Sequence, residues 1–176
     1  MLATILTFLL VNSPATIQPT EEQILRQFAA FLENYAQLHR RASESIPRAL
    51  CGGPEELEIF RLGVAQEIRR LRVREREGAI FTREVGTLLR RRLHTAVPHI
   101  RLGDEDAHIG PDGQLIRWVP EVNGEYPPDF SIDFSVLVQH LPPLPGELEY
   151  RFVGRDLVLL DVVANLVVDV LRDAIP

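Results

Sequence analysis

The chain has 176 residues, a formal net charge of −6 and 45% hydrophobic residues. This length can bury a core without disulfides, and the apolar content excludes an intrinsically disordered chain. Cys51 is the single cysteine, which excludes an internal disulfide. The acidic balance argues against nucleic acid as a partner, because nucleic-acid binders usually show a strongly basic face. The composition therefore indicates one globular domain.

Residues 1–18 are interpreted as a signal peptide or an apolar N-terminal segment. The apolar run Leu2–Val11 is shorter than the about 20 residues that a transmembrane helix needs. It suits the core of a signal peptide, and the small residues Ser13 and Ala15 predict cleavage after Ala15. No basic residue precedes the run, which leaves open an ordinary apolar strand or helix. A signal peptide predicts a periplasmic or secreted protein, and its absence a cytoplasmic one.

Residues 19–101 are predicted to form a helical region with three amphipathic helices, because apolar residues recur there at helical spacing. Short connections indicate an antiparallel helical layer. The apolar stripes are Ile24, Phe28, Phe31, Leu32, Tyr35 and Leu38 in the first helix, Leu57, Phe60, Val64, Ile68 and Leu71 in the second, and Val85, Leu88, Leu89 and Leu93 in the third.

Capping residues predict where these helices begin and end. Thr20 with Gln23 forms a capping box at the start of the first helix, and Arg40 and Arg41 are predicted in its last turn, where cations are favoured. Residues 43–53 are predicted to form a loop. The second helix is predicted from Pro54 to Gly78, and the third from its N-cap Thr82 to Pro98.

Residues 102–146 form an acidic, proline-rich connecting region. The sequence Pro111-Asp112-Gly113 lies between short apolar runs and predicts a β-hairpin within residues 107–119. Residues 120–146 include several prolines and are predicted to run extended along the surface or to be partly mobile.

Residues 147–176 are predicted to form an antiparallel β-meander packed on the helices. Leu148, Tyr150 and Phe152 alternate with charged residues, as in a half-buried strand. A turn at 154–156, a strand over 157–162, a turn at Asn165 and a strand over 166–171 follow, with a short helix as the alternative for the last segment. The predicted fold class is α+β, with an N-terminal layer of about three helices and a small C-terminal meander.

Two segments carry a resemblance to a known family. ELEYRFVGRDLVLLDVVANLVVDVL, at 147–171 after a Pro-Pro-Leu-Pro entry, and EGAIFTREVGTLLRRRL, at 77–93, resemble a family of uncharacterised bacterial exported proteins. Together with their flanks they cover about half the chain. The resemblance implies a location outside the cytoplasm and implies no activity.

Three histidines and an acidic run are candidate metal ligands. His94 and His99 are separated by Pro98 and share no helical face, and His108 follows the acidic run at 104–106. Metal sites usually show tighter local pairing. We therefore predict a solvated acidic loop with incidental histidines, without metal or cofactor.

Catalytic residues are not predicted from the sequence. Asp161 and Asp169 are expected on the polar face of the meander, where they could be cross-strand neighbours with Arg151 and Arg155 available between their charges. Asp156 is expected in a turn, where its side chain bonds to the backbone. A structural salt-bridge cluster is predicted in preference to acid–base catalysis by these carboxylates. The chain has no Gly-x-Ser-x-Gly elbow, no phosphate-binding loop with lysine and no dinucleotide fingerprint. A site assembled from residues distant in sequence remains open.

Charge is unevenly distributed along the chain. Residues 19–101 hold 15 arginines and 11 acidic residues, whereas residues 102–176 hold 4 and 14. The two halves are therefore expected to attract each other within one molecule or between copies. The arginines at 69, 70, 72, 74 and 76 and at 90–92 alternate with glutamates, which favours a solvated helical face. The alternative is a surface for an anionic partner.

Three functional hypotheses follow. The non-enzymatic one comes first, because the sequence has no catalytic motif. The first is an exported, non-enzymatic binding or structural module, whose sheet edges are available for pairing. The second is an exported hydrolase of unknown substrate with a site assembled from residues distant in sequence. The third is an intracellular scaffold, if the N-terminal segment is retained.

Overall fold

The structure, a computed structural model, describes residues 19–47, 53–96, 107–109, 115–127 and 135–176. Its helices are α1 (Glu21–Ser45), α2 (Pro54–Leu71), α3 (Arg83–Ala96) and α4 (Ser135–Val138), and its strands are β1 (Ala107–Ile109), β2 (Leu115–Arg117), β3 (Leu148–Val153), β4 (Asp156–Asp161) and β5 (Leu166–Leu171). The predicted α+β class, with N-terminal helices and a C-terminal meander, is confirmed. Within these ranges, none of the helices has the length and hydropathy to cross a bilayer.

Helix α1 begins as predicted and ends later. The backbone N–H of Gln23 donates to Thr20 Oγ1 at 3.3 Å, and the backbone N–H of Thr20 donates to Gln23 Oε1 at 2.8 Å, which completes the capping box. The helix runs on to Ser45, so the predictions of Arg40 and Arg41 in the last turn and of a loop from residue 43 are wrong. Ala42 is buried in the core, so the apolar stripe that stabilises the helix continues past the arginines.

Helix α2 ends at Leu71, well before the predicted Gly78. The chain turns at Arg72, whose side chain enters the interior. Two residues of the predicted stripe, Leu57 and Leu71, are 70% and 44% exposed. The stripe is therefore buried only in the middle of the helix. At the start of α3 the Val85 amide donates to Thr82 Oγ1 at 3.4 Å, consistent with the predicted N-cap.

The three C-terminal strands form an antiparallel sheet in the order β3-β4-β5. Tyr150 pairs with Leu159, and the register between β4 and β5 shifts at Leu159/Leu160. Asn165, in the second turn, has a φ of 49°, the left-handed conformation that asparagine tolerates. The meander is confirmed, and the alternative of a helix over 166–171 is wrong.

The connecting region contains two further elements. Strands β1 and β2 pair as the predicted antiparallel hairpin, with His108 opposite Ile116; the Pro-Asp-Gly turn lies outside the described residues. The short helix α4 interrupts the region predicted to be extended, so that prediction is wrong at this point. Leu137 is fully buried, and its burial explains why the chain turns inward here.

Both faces of the sheet are covered. The larger cluster packs side chains of α1, α2 and α3 against one face, through residues such as Leu157 and Leu159. On the other face Tyr126 and Trp118 cover Val158 and Val167, and the Trp118 and Tyr126 rings meet edge to face at 5.1 Å. All residues of β5 are buried, so a polar side chain on this strand must find its partners inside the protein.

Candidate functional site

Asp161 and Asp169 are both fully buried, at 0% exposure. Their predicted placement on a polar face is wrong, because both faces of the sheet are covered. They are not cross-strand neighbours either, since Asp161 lies opposite Leu166 and Asp169 opposite Leu159. Buried carboxylates are costly unless they are hydrogen-bonded, so each must have partners that explain its position.

The Asp161 carboxylate joins α1 to the end of β4. Its Oδ2 accepts from the Tyr35 hydroxyl at 2.8 Å and lies 2.6 Å from His39 Nδ1. Its Oδ1 accepts from the backbone N–H groups of Val163 at 3.0 Å and Ala164 at 2.8 Å. One carboxylate therefore fixes the β4–β5 turn and anchors the C-terminal part of α1.

Ser43 extends this arrangement by one residue. Its Oγ lies 3.2 Å from His39 Nε2, one helical turn along the same face of α1. We name Tyr35, His39, Ser43 and Asp161 the His39 cluster. Its hydrogen-bond order, serine to histidine to aspartate, is that of the serine hydrolase triad. The i, i+4 spacing of His39 and Ser43 was visible in the sequence, but nothing local pointed to Asp161.

The electrostatics of the His39 cluster favour a charged histidine. Burial lowers the pKa of the His39 imidazolium, but the hydrogen bond and charge of Asp161 outweigh it, so the pKa is raised above its usual value. Glu147 acts on His39 in the same direction. Burial and the Asp161 charge raise the pKa of the Tyr35 phenol well above its usual value. Tyr35 therefore remains a hydrogen-bond donor, and His39 and Asp161 are favoured as an ion pair.

The position of Ser43 on α1 favours a structural role of the His39 cluster over acyl transfer. Ser43 lies in the last turn of α1, where unpaired carbonyl oxygens form the negative end of the helix dipole. An oxyanion formed on a substrate at Ser43 Oγ would be disfavoured there. The arrangement suits an ion pair that ties helix to sheet better than it suits acyl transfer.

Asp169 has a different environment. Its carboxylate accepts from the backbone N–H groups of Gly78 at 2.9 Å, Ile80 at 2.7 Å, Phe81 at 2.7 Å and Val170 at 2.8 Å. Burial raises the pKa of this carboxyl, and the four N–H donors oppose that shift by stabilising the carboxylate. Asp169 thus holds the α2–α3 connection against β5.

Arg72, predicted on a solvated face, is only 4% exposed, so that prediction is wrong. Its Nη2 donates to the Val168 carbonyl at 2.8 Å and its Nη1 donates to Asn123 Oδ1 at 3.0 Å. Asn123 Nδ2 in turn donates to the Arg72 carbonyl at 3.1 Å, and the guanidinium lies 5.2 Å from the centre of the Tyr35 ring. Arg72 therefore anchors the end of α2 to the edge of β5.

Arg69, Arg70 and Asp156 also make contacts within the fold. Arg69 Nε donates to the Asn123 carbonyl at 2.9 Å, and Arg70 pairs with Glu67 at 2.6 Å. Asp156 pairs with Arg172 at 2.7 Å.

Arg151 and Arg155, predicted as partners of the buried aspartates, contact other acids. Arg151 pairs with Glu149, and Arg155 Nη2 lies 3.9 Å from Asp173 Oδ1. The predicted salt-bridge cluster around Asp161 and Asp169 is therefore wrong. The reason is that both aspartates point into the core, beyond the reach of these partly exposed arginines.

Metal ligands were sought within the part of the chain that the structure describes. No group of three His, Cys, Asp or Glu side chains there could hold a metal ion. His94 is exposed on α3. His99, the acidic run 104–106 and Cys51 lie outside the described residues, and only the backbone of His108 is described.

Comparison with known proteins identifies no relative. No protein-family model, no curated protein and no solved structure matches this chain. The function must therefore be inferred from the residues and their geometry.

Proposed function

We propose that the protein is an exported, non-enzymatic binding or structural module. The observation that carries this proposal is the use of the buried charged groups: Asp161 joins α1 to the sheet, Asp169 joins the α2–α3 connection to it, and Arg72 joins the end of α2 to it. Such groups rigidify a fold when all their partners are present.

Exposed side chains on α2 support a binding role. Ile59 and Leu62, three residues apart on one face of the helix, are 69% and 46% exposed, and apolar residues grouped on a surface often mark contacts between proteins. Self-association or an external partner would cover them. Light scattering over a range of concentrations tests self-association, and a strict monomer at high concentration would contradict it.

A hydrolase is the second candidate, and the distances within the His39 cluster favour it. Ser43 Oγ lies 3.2 Å from His39 Nε2, and His39 Nδ1 lies 2.6 Å from Asp161. These distances are compatible with proton transfer from a nucleophilic serine. The negative end of α1 opposes this function, as argued above.

Hydrolysis of activated esters and amides separates the two candidates. The matched variants are Ser43→Ala and Ser45→Ala, because Ser45 lies on the same turn but donates to the Ala42 carbonyl at 2.7 Å. We expect no turnover above background in the wild type and no difference between the variants. Turnover that is lost in Ser43→Ala and kept in Ser45→Ala would establish the hydrolase.

The apolar run Leu2–Val11 supports export, because it suits the core of a signal peptide. N-terminal sequencing of the protein from its native cell tests it, with a mature chain starting near Thr16 expected. Recovery of the chain with Met1 would contradict export and favour the intracellular scaffold.

A further inference from the structure

A groove between α1 and α3 has the character of an anion site. It is widely open to solvent and has a volume of about 520 Å³. The described residues that line it are Glu21, Arg91, Arg92, Thr95, Ala96 and His140. Neither the His39 cluster nor the contacts that hold the helices to the sheet use Arg91 or Arg92, which both pair with Glu21.

Both arginines converge on one carboxylate. Arg91 Nη2 lies 2.5 Å from Glu21 Oε2, and Arg92 Nη2 lies 2.7 Å from Glu21 Oε1. The hydrogen bond and charge of Arg92, helped by Arg91, lower the pKa of the Glu21 carboxyl. Two guanidinium groups therefore hold one carboxylate, each through one charge-assisted hydrogen bond to a different oxygen.

The groove has an excess of positive charge even with Glu21 in place. Two guanidinium groups face one carboxylate, and the positive end of α1 begins at Glu21. Thr95 and Ala96 bring the negative end of α3, equivalent to about half a charge, which is smaller than the two arginine charges. Glu21 and Arg91 are also 46% and 64% exposed, so their ion pair is weak and can be exchanged for another anion.

We propose that this groove binds a carboxylate of a ligand, and that Glu21 is the internal occupant which the ligand displaces. The inference rests on the proposed function as a binding module and names its site. The ligand is a carboxylate-bearing small molecule or an acidic peptide, since both present the group that Glu21 presents.

The test is isothermal titration calorimetry at low salt, with succinate and an oligoglutamate peptide as separate probes. Glu21→Gln removes the internal carboxylate and is expected to tighten binding by about fivefold or more, within the range of typical coupling between sites. The double variant Arg91→Gln/Arg92→Gln is expected to weaken binding at least tenfold. The double variant Arg74→Gln/Arg83→Gln, which also removes two positive charges, at exposed residues outside the groove, is the control and is expected to leave affinity within twofold. Tighter binding of succinate indicates a small molecule, and tighter binding of the peptide an acidic protein segment.

Two results would overturn the proposal: Glu21→Gln binding no tighter than wild type, or Arg74→Gln/Arg83→Gln weakening binding as much as Arg91→Gln/Arg92→Gln. The second result would mean attraction to overall charge only. Circular dichroism and thermal unfolding of each variant establish that it is folded, because the Glu21 pairs join α1 to α3. If the groove does not bind carboxylates and the protein hydrolyses neither esters nor amides, the proposal of a non-enzymatic module is unaffected. The two proposals can therefore be contradicted independently.

Discussion

Asp161 and Asp169 lie on neighbouring strands of one sheet, are equally buried, and differ in what surrounds them. Asp169 accepts only from backbone N–H groups, which can do nothing except donate. Asp161 accepts from two backbone groups and faces Tyr35 and His39, whose side chains can also accept hydrogen bonds. The first environment is fixed, and the second can change with protonation. The difference separates a purely structural contact from the one place in the described core where chemistry is conceivable.

The largest expected effect is that of Asp169→Asn. The introduced amide would point a donor at backbone donors that cannot reverse, and a buried charge–dipole network would be lost. We expect the free energy of unfolding to fall by about 3–5 kcal/mol. Urea denaturation at neutral pH measures it, and a loss below that of Asp161→Asn would contradict the comparison.

Asp161→Asn is expected to cost less, about 1–3 kcal/mol. An asparagine oxygen can still accept from Val163 and Ala164, and its NH₂ group can donate to the Tyr35 hydroxyl or to neutral His39. The same urea denaturation gives the value. Failure of this variant to fold would mean that the contact is as rigid as that of Asp169.

The pH dependence of stability sharpens the contrast. The pKa of His39 is raised in the folded state, so folding favours the protonated ring. The stability it contributes is fully present below the unfolded pKa of about 6.5 and is lost as the pH rises through the folded pKa. Wild type is therefore expected to lose stability as the pH rises above about 6.5 and through the raised pKa of His39. His39→Gln should lack that part of the loss; an unchanged pH profile would rule out His39 as its source.

Ser43→Ala is expected to have the smallest effect, a loss of about 0.5–1.5 kcal/mol at most. The serine hydroxyl is half-buried and contributes one hydrogen bond to His39, while the ion pair with Asp161 remains. Thermal unfolding of Ser43→Ala beside Ser45→Ala measures this. A loss as large as that of Asp161→Asn would show that Ser43 holds the cluster together.

The architecture was predictable because it is encoded locally. The capping box at Thr20, the alternation around Tyr150 and the turn residue Asn165 each act within a few residues, and each has the predicted conformation. Helix ends were less predictable: α1 passes Arg41 because Ala42 is buried, and α2 stops because Arg72 enters the core. Both causes depend on tertiary packing.

The His39 cluster was not predictable, since it depends on contacts between residues far apart in sequence. Asp161 was expected to be solvated because charged residues on short strands usually are. Its burial follows from the cover that Tyr126 and Trp118 provide on one face and the helices on the other. The prediction of a solvated arginine face is wrong at Arg72 for the same reason. Arg72 donates to the carbonyl of Val168, and this residue belongs to a strand that only folding brings near α2.

The most direct test of the account is a double-mutant cycle between His39 and Asp161. The free energies of unfolding of wild type, His39→Gln, Asp161→Asn and the double variant are measured by urea denaturation at about pH 6 and about pH 9. The account predicts a favourable coupling of about 1–3 kcal/mol at the lower pH, where the ring is charged, and a smaller coupling at the higher pH. A coupling near zero, or one that is the same at both pH values, would contradict the view that a titrating ion pair ties α1 to the sheet.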